Sequence, residues 1–205
     1  ESGEKAIAII NGMKRYIPYF IALSANSPCF ESENTGLAST RTKIFEGLPN
    51  TGIPERLRNY SEFQKFMRTL IRANSIESIR EIWWDIRPHP GYGTVEIRIC
   101  DSIPNLRDIK DLTAFCQALV VGMSNHYDSG TQLPYLDNWI LYENKWRATR
   151  YGIDADLIMD EDGTQVSIKD EIINTITNLS PEINELNLGE SMDRIIQRVK
   201  TGHAY

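Results

Sequence analysis

The stretch Ile82 to Asp101, IWWDIRPHPGYGTVEIRICD, constrains this chain more than any other part of it. It reads as two short strands joined by a Pro/Gly-rich loop, PHPGYG. Strand side chains alternate between faces, so Val95, Ile97 and Ile99 share one face while Glu96 and Arg98 share the other. In the first strand Ile82, Trp84 and Ile86 fall together, opposite Trp83, Asp85 and Arg87. One sheet face therefore carries an aromatic ring and charges of both signs. A carboxylate two residues before an arginine sets a hard metal ligand beside a guanidinium fork that suits phosphate, as ATP-dependent chemistry requires. The plainer alternative is a half-buried hairpin whose charges face water. Against it stand Trp83 on the polar face, arginine in place of lysine, and adjoining tryptophans that put a large ring on each face.

A chain of 205 residues, 41% apolar and 24% charged, has the composition of a soluble globular protein with a substantial core. Its net charge of -6 and pI near 5.2 argue against nucleic acid or an anionic membrane as partner. Cys29, Cys100 and Cys116 are an odd count without close spacing, which points to free thiols in a reducing compartment such as the cytoplasm. Each lies in an apolar run that reads as core, so a catalytic cysteine is not expected. The scattered His89, His126 and His203 and the lack of a CxxC pair argue against zinc. The apolar runs are too short or too interrupted to span a bilayer. The opening, ESGEKAIAI, has no signal-peptide organisation and no initiator methionine, and reads as the middle of a longer chain.

Helical spacing runs from Lys5 to Leu23 through Ile9, Met13, Tyr16 and Phe20, with a kink expected at Pro18. Ala22 to Pro54 reads as a long irregular stretch, ordered by Leu37, Ile44, Phe45 and Leu48. Tyr60 to Ala73 is a helix with Ser61 as its expected cap, and Pro104 to Met123 a long buried helix with Asp108 and Asp111 near its start. Asn125 to Leu136 reads as a loop. Asp137 to Tyr151 is a helix capped at Asp137 and stopped at Gly152, and MDEDGTQV is a small hairpin or solvated loop. SIKDEIINTITNLS, PEINEL and GESMDRIIQRVKTG then form a helical tail. Residues 1–155 are expected to belong to one catalytic domain, with 156–205 a helical tail packed on it.

The motifs ALSANSP, TGLASTR, Pro49-x-x-Gly-x-Pro54, IWWDIRPHP, TVEIRICD and ENKWRATRYG occur in this order. Together they closely resemble the glutamate–cysteine ligase family, in its bacterial carboxylate–amine ligase branch, over residues of about 5 to 155 and more loosely in the tail. The resemblance implies an α+β chain that is part of a glutamine synthetase-like catalytic fold, an antiparallel sheet backed by helices. It implies ATP and Mg²⁺ as cofactors, and glutamate and an amine such as cysteine as substrates, joined through a γ-glutamyl phosphate as in glutathione biosynthesis. Chemically this is phosphoryl transfer followed by acyl transfer, driven by positioning and charge neutralisation. The Gly-Glu-Glu-Glu strand that opens such proteins does not occur here. The chain thus resembles the C-terminal portion of a protein about 1.8 times as long. The N-terminal half of the same protein, or a companion chain, is the expected partner. Alone, the chain is expected to be inactive and prone to self-associate into oligomers.

On this resemblance Glu96 matches a Mg²⁺ ligand, the alternative being an ion pair with Arg98 or Arg87. Arg98 would bind ATP and neutralise the transferring phosphoryl group, and Arg87 is the second catalytic candidate, the alternative being that it and Asp85, on the same face, only orient the contacting groups. Arg41 is the candidate for a substrate carboxylate, which its planar fork fits. Trp83 and Asn26 join it as substrate-site candidates, although Asn26 first serves its own loop. Lys145 and Arg150, from the helix that also carries Asn144 and Arg147, are the nucleotide candidates. His89, between two prolines, reads as a loop residue rather than a general base. The rival reading is a non-catalytic binding or regulatory module that keeps the scaffold without the metal-binding strands.

Overall fold

The first apolar stripe forms a helix broken once, and the rest of the chain packs around it. The structure, a computed structural model, describes residues 2–131, 133 and 135–202. Helix α1 (Gly3–Met13) starts at Ser2, whose side chain accepts from the Lys5 N–H, and passes through a 3₁₀ turn, Lys14–Tyr16, into α2 (Ile17–Ser24). The break falls in this 3₁₀ turn and not at Pro18, where the kink was expected. Pro18 sits just after it in the first turn of α2, where a missing N–H costs nothing. Every residue of α2 is buried.

The stretch expected to be irregular is more ordered than that. It holds the strands β1 (Cys29–Phe30) and β2 (Glu33–Asn34), helix α3 (Thr40–Glu46) and strand β3 (Thr51–Gly52). Helix α3, TRTKIFE, buries two threonines and has no apolar stripe, so periodicity could not reveal it. In α4 (Tyr60–Arg72) the cap is Asn59, which accepts from the Glu62 N–H, and not the expected Ser61. The Glu62 carboxylate in turn accepts from the Arg58 N–H, which extends the bonding at this end.

The central hairpin is β4 (Trp83–Trp84), β5 (Ile86–His89) and β6 (Thr94–Ile97). Its first strand was expected to be continuous, but it changes partner at Asp85. Strand β4 runs parallel to β3, with Thr51 opposite Trp83, whereas β5 runs antiparallel to β6, with Arg87 opposite Glu96. Asp85 links the two ladders: its N–H donates to the Gly52 carbonyl at 2.9 Å, and its carbonyl accepts from the Arg98 N–H at 2.8 Å. The expected antiparallel sheet is therefore, among the described residues, a set of two-stranded ladders, one of them parallel. The predicted alternation holds, since Ile82, Trp84 and Ile86 all enter the core.

Helix α5 (Leu106–Asp128), capped by Asn105, runs five residues beyond the expected end at Met123 and takes up the start of the expected loop. Parts of that loop, positions 132 and 134, lie outside the described residues. Helix α6 (Asn138–Tyr151) ends at Gly152, whose φ of 56° favours glycine. There a Cβ would also come within 3.1 Å of the Ala38 Cβ. Strands β7 (Asp156–Ile158) and β8 (Gln165–Ser167) make the expected hairpin. The tail is α7 (Ile168–Asn178), α8 (Ser180–Glu185) and α9 (Gly189–Thr201), with α9 packed along α5. Ile7, Met13, Phe20, Ile86, Phe115 and Ile195 belong to one core cluster that reaches from α1 to the tail.

Cys29 is exposed in the β1–β2 hairpin, contrary to its expected place in the core. Cys100 and Cys116 are mostly covered, and burial pushes both thiols up to about 11, which makes them poor nucleophiles. No helix among the described residues is long and apolar enough to cross a membrane.

Candidate active site

The alternating hairpin places Trp83, Asp85 and Arg87 beside Glu96 and Arg98, as the strand pattern requires. Glu96 Oε2 accepts from Arg87 Nε at 2.8 Å and Oε1 from Arg98 Nη1 at 2.6 Å. Burial pushes the Glu96 carboxyl up, but the two guanidinium groups outweigh it and hold the group below the usual carboxylate range. The Arg98 guanidinium lies over the Trp83 ring, 5.0 Å from its centroid. Arg87 is only 4% exposed, and its Nη1 donates to the carbonyls of Ile79 at 2.5 Å and Ile82 at 2.7 Å. It holds Glu96 from behind, while Arg98 faces outward.

Opposite this face stands α3. Together they flank a narrow cleft of about 20 Å³ lined by Arg41, Thr42, Phe45, Glu46, Trp83, Asp85 and Arg98. Phe45 and Trp83 form its aromatic walls, with ring centroids 5.9 Å apart. Arg41 stacks over Phe45 at 4.5 Å and donates to the carbonyls of Ile99 at 3.1 Å and Arg98 at 2.9 Å. One arginine thus braces the strand that carries another.

Behind the cleft lies Lys145, 2% exposed, with Nζ 2.7 Å from Asp85 Oδ2 and 2.9 Å from Glu46 Oε1. Burial raises the Asp85 carboxyl above its usual range despite Lys145. Glu46, less deeply covered, is pushed up by burial but brought below its usual range by Lys145 and Lys43. The Lys145 ammonium thus ties two protein carboxylates together.

The sequence-predicted residues are only partly brought together. Trp83, Arg98 and Arg41 meet at the cleft, Glu96 joins it through its bond to Arg98, and Arg87 and Lys145 bind Glu96 and Asp85 respectively. Asn26 was expected to fix its own loop; instead its side chain donates to the Ser102 carbonyl at 3.0 Å and ties that loop to the segment after β6, and it does not line the cleft. Arg150 lies near Tyr151 and against Gly36, where a Cβ would come within 2.5 Å of its Nη1, and it does not line the cleft. His89 stacks on Tyr92 in the connecting loop. Phe45, Glu46 and Asp101 were missed. The first two lie on α3, whose sequence carries no apolar stripe. Asp101 did leave a signal: it falls in step with Val95, Ile97 and Ile99, a carboxylate on the apolar face.

Among the described residues no three His, Cys, Asp or Glu side chains group to hold a metal ion. Both Glu96 oxygens accept from guanidinium groups, and Asp85 and Glu46 share an ammonium. Each Glu96 oxygen accepts one N–H and keeps a lone pair, so Glu96 offers one carboxylate to Mg²⁺, whose shell phosphates and ligands from outside this chain would have to complete.

A helix-rich α+β chain with an arginine-lined cleft on a hairpin face defines the class structurally, and comparison with known proteins gives the family. Residues 1–205 match glutamate-cysteine ligase family 2 (GCS2), and the chain belongs to that family. The match includes the helical tail, where the motifs had been looser. A protein of Frankia alni named "Putative glutamate--cysteine ligase 2-1" is 43% identical over 204 residues, covering 100% of this chain and 53% of its own length. Proteins named "Putative glutamate--cysteine ligase 2" are 43% identical in Thermobifida fusca and 36% identical in Bdellovibrio bacteriovorus. They cover 98% and 100% of this chain, and 51% and 54% of their own lengths. The chain spans about half the length of the curated relatives it matches.

Proposed function

We propose that this chain supplies part of the catalytic unit of an ATP-dependent carboxylate–amine ligase of glutamine synthetase-like fold. In this reading ATP transfers its γ-phosphoryl group to the γ-carboxylate of glutamate and leaves as ADP. An amine such as that of cysteine then attacks the acyl phosphate, phosphate departs, the amine gives up a proton and a γ-glutamyl amide remains. The observation that carries the reading is the convergence of Arg41 and Arg98 on one aromatic-walled cleft in a chain of this family. Arg98 is the group that neutralises charge on the transferring phosphoryl. Arg41 keeps further N–H donors beyond those bound to the Arg98 and Ile99 carbonyls, and these suit a substrate carboxylate. Glu96 and Arg87 hold Arg98 in place, and Lys145 keeps the cleft floor rigid. Glu96 would hold Mg²⁺ as one carboxylate ligand while still bonded to its arginines, and the ion would supply charge neutralisation at the phosphates. The rest of the catalytic unit comes from the other half of the protein or from a companion chain. The need for ATP and the free thiols suit a cytoplasmic setting.

The test is ADP release by the complete protein. Release that depends on both glutamate and an amine is expected, and its absence in a folded protein that binds neither glutamate nor ATP overturns the reading. The isolated 205-residue chain is expected to be silent; glutamate-dependent ADP release from its monomer would show that it needs no complementing half.

A further inference from the structure

We infer that Asp101 is a positioning residue whose buried carboxylate locks two loops to the end of β6 and thereby sets Arg41 at the cleft. Asp101 is 6% exposed and lies four residues beyond β6, in the segment that follows Arg98. Its Oδ2 accepts from the Asn26 N–H at 2.9 Å and the Ser27 hydroxyl at 2.7 Å, and its Oδ1 from the Ser39 hydroxyl at 2.8 Å. A buried carboxylate is costly unless its oxygens are satisfied, so these donors are what keep it in place.

The loops that it gathers are the ones that hold Arg41. The Arg41 N–H donates to the Ser27 hydroxyl at 3.1 Å, and the Thr40 N–H to the Ser27 carbonyl at 2.9 Å. Ser39 and Thr42 share a hydroxyl hydrogen bond of 2.8 Å, and Thr42 lies on the cleft wall. From there the Arg41 guanidinium returns to the carbonyls of Arg98 and Ile99. The circuit runs from Asp101 through Ser27 and Ser39 to the start of α3, then through Arg41 back to β6. Asp101 does not line the cleft, so its effect on a ligand passes through Arg41.

This inference rests on the proposed reading that the cleft takes glutamate, and the experiment separates the two. In the complete protein, Asp101→Ala and Asp101→Asn are compared by amide hydrogen exchange and by steady-state kinetics. For Asp101→Ala, exchange at residues 26, 27 and 39–42 should rise about tenfold, equivalent to one lost hydrogen bond to a charged group, while the β5–β6 amides stay protected. The KM for glutamate should rise by at least about tenfold, with the KM for ATP within about twofold. Asp101→Asn keeps the shape and an acceptor, and Ser39 can turn its proton to Thr42, so this variant should recover most of both readouts. Unchanged exchange at residues 26, 27 and 39–42, equal rises in both KM values, or no recovery in Asp101→Asn would each overturn the inference. If Asp101→Ala does not fold, Ser39→Ala and Ser27→Ala carry the same comparison. If the wild-type protein has no glutamate-dependent turnover, the proposed function fails, while the exchange pattern still decides whether Asp101 holds the Arg41 loops.

Discussion

At the seam between α5 and α9, Arg194 grips Asp111 through Nε at 2.8 Å and Nη2 at 2.6 Å. On the hairpin face Arg87 and Arg98 share Glu96 at 2.8 and 2.6 Å. By distance the clusters are alike, and both hold their carboxylate below its usual range against the upward push of burial. They differ in what surrounds them. At the seam the buried partner is the carboxylate, and the neighbouring depression, lined by Arg107, Glu190, Asp193, Arg194 and Gln197, has no aromatic wall. On the hairpin the carboxylate is the more exposed partner, at 36%, and Arg98 lies between Trp83 and a cleft that a second arginine also lines. A short ion pair therefore does not mark a site. Cations converging on one concave, aromatic-walled surface, with their geometry fixed from behind, make the better criterion.

The sharpest way to break this contrast is Arg98→Ala in the complete protein. Removing a charge-neutralising group should lower kcat by about 10²–10³ with little change in the unfolding midpoint, and Glu96→Gln should follow it. Turnover like that of wild type in either variant would make the hairpin pair as purely structural as the seam.

Behind the cleft the largest effect falls on stability. Lys145→Met leaves Asp85 buried beside Glu46 without their shared cation, and should cost about 3–5 kcal/mol in urea unfolding. A much smaller loss would mean that Asp85 takes up a proton instead, in line with the upward shift that burial gives it. Arg194→Ala should lower the unfolding midpoint by less than Lys145→Met and leave the KM for glutamate unchanged, since neither Arg194 nor Asp111 lines the cleft.

The smallest effect is one of pH. A carboxyl held low in the folded state contributes stability that is present above its unfolded value and lost as pH falls through its folded value. Glu96 and Asp111 should both contribute to the acid limb of the stability curve. Asp111→Asn should flatten that limb without altering catalysis, whereas Glu96→Gln should flatten it and lose turnover. Stability curves measured between pH 2 and 6, about the carboxylate range, would separate the two.

The hairpin was legible because period-2 alternation is a local signal: Ile82, Trp84 and Ile86 entered the core, and the charged set shared a face. The helices with apolar stripes were legible for the same reason. What escaped was non-local. The change of partner at Asp85 depends on Thr51 and Gly52, a pair of residues with no strand signal of their own. Lys145 was assigned to nucleotide because a lysine on a helix face does not announce that Asp85 and Glu46 will close over it. The Asn26 side chain reaches Ser102, 76 residues on, rather than its own loop, and Arg150 sits against Gly36; neither approach is displayed by the sequence.

The circuit through Asp101 also bears on the order in which the molecule assembles. Its bond to Ser27 joins residues 74 apart in sequence, the Arg41 bond to the Arg98 carbonyl spans 57, and the Lys145 bond to Asp85 spans 60. Loops of that length must close before any of these contacts returns free energy, whereas α1, α5 and α9 form from near neighbours. The cleft should therefore be among the last parts to consolidate, after the helices are in place. On a ribosome, Asp85 would wait for Lys145 through much of the chain's emergence. In refolding, the fluorescence of Trp83 should then lag the helical circular dichroism signal.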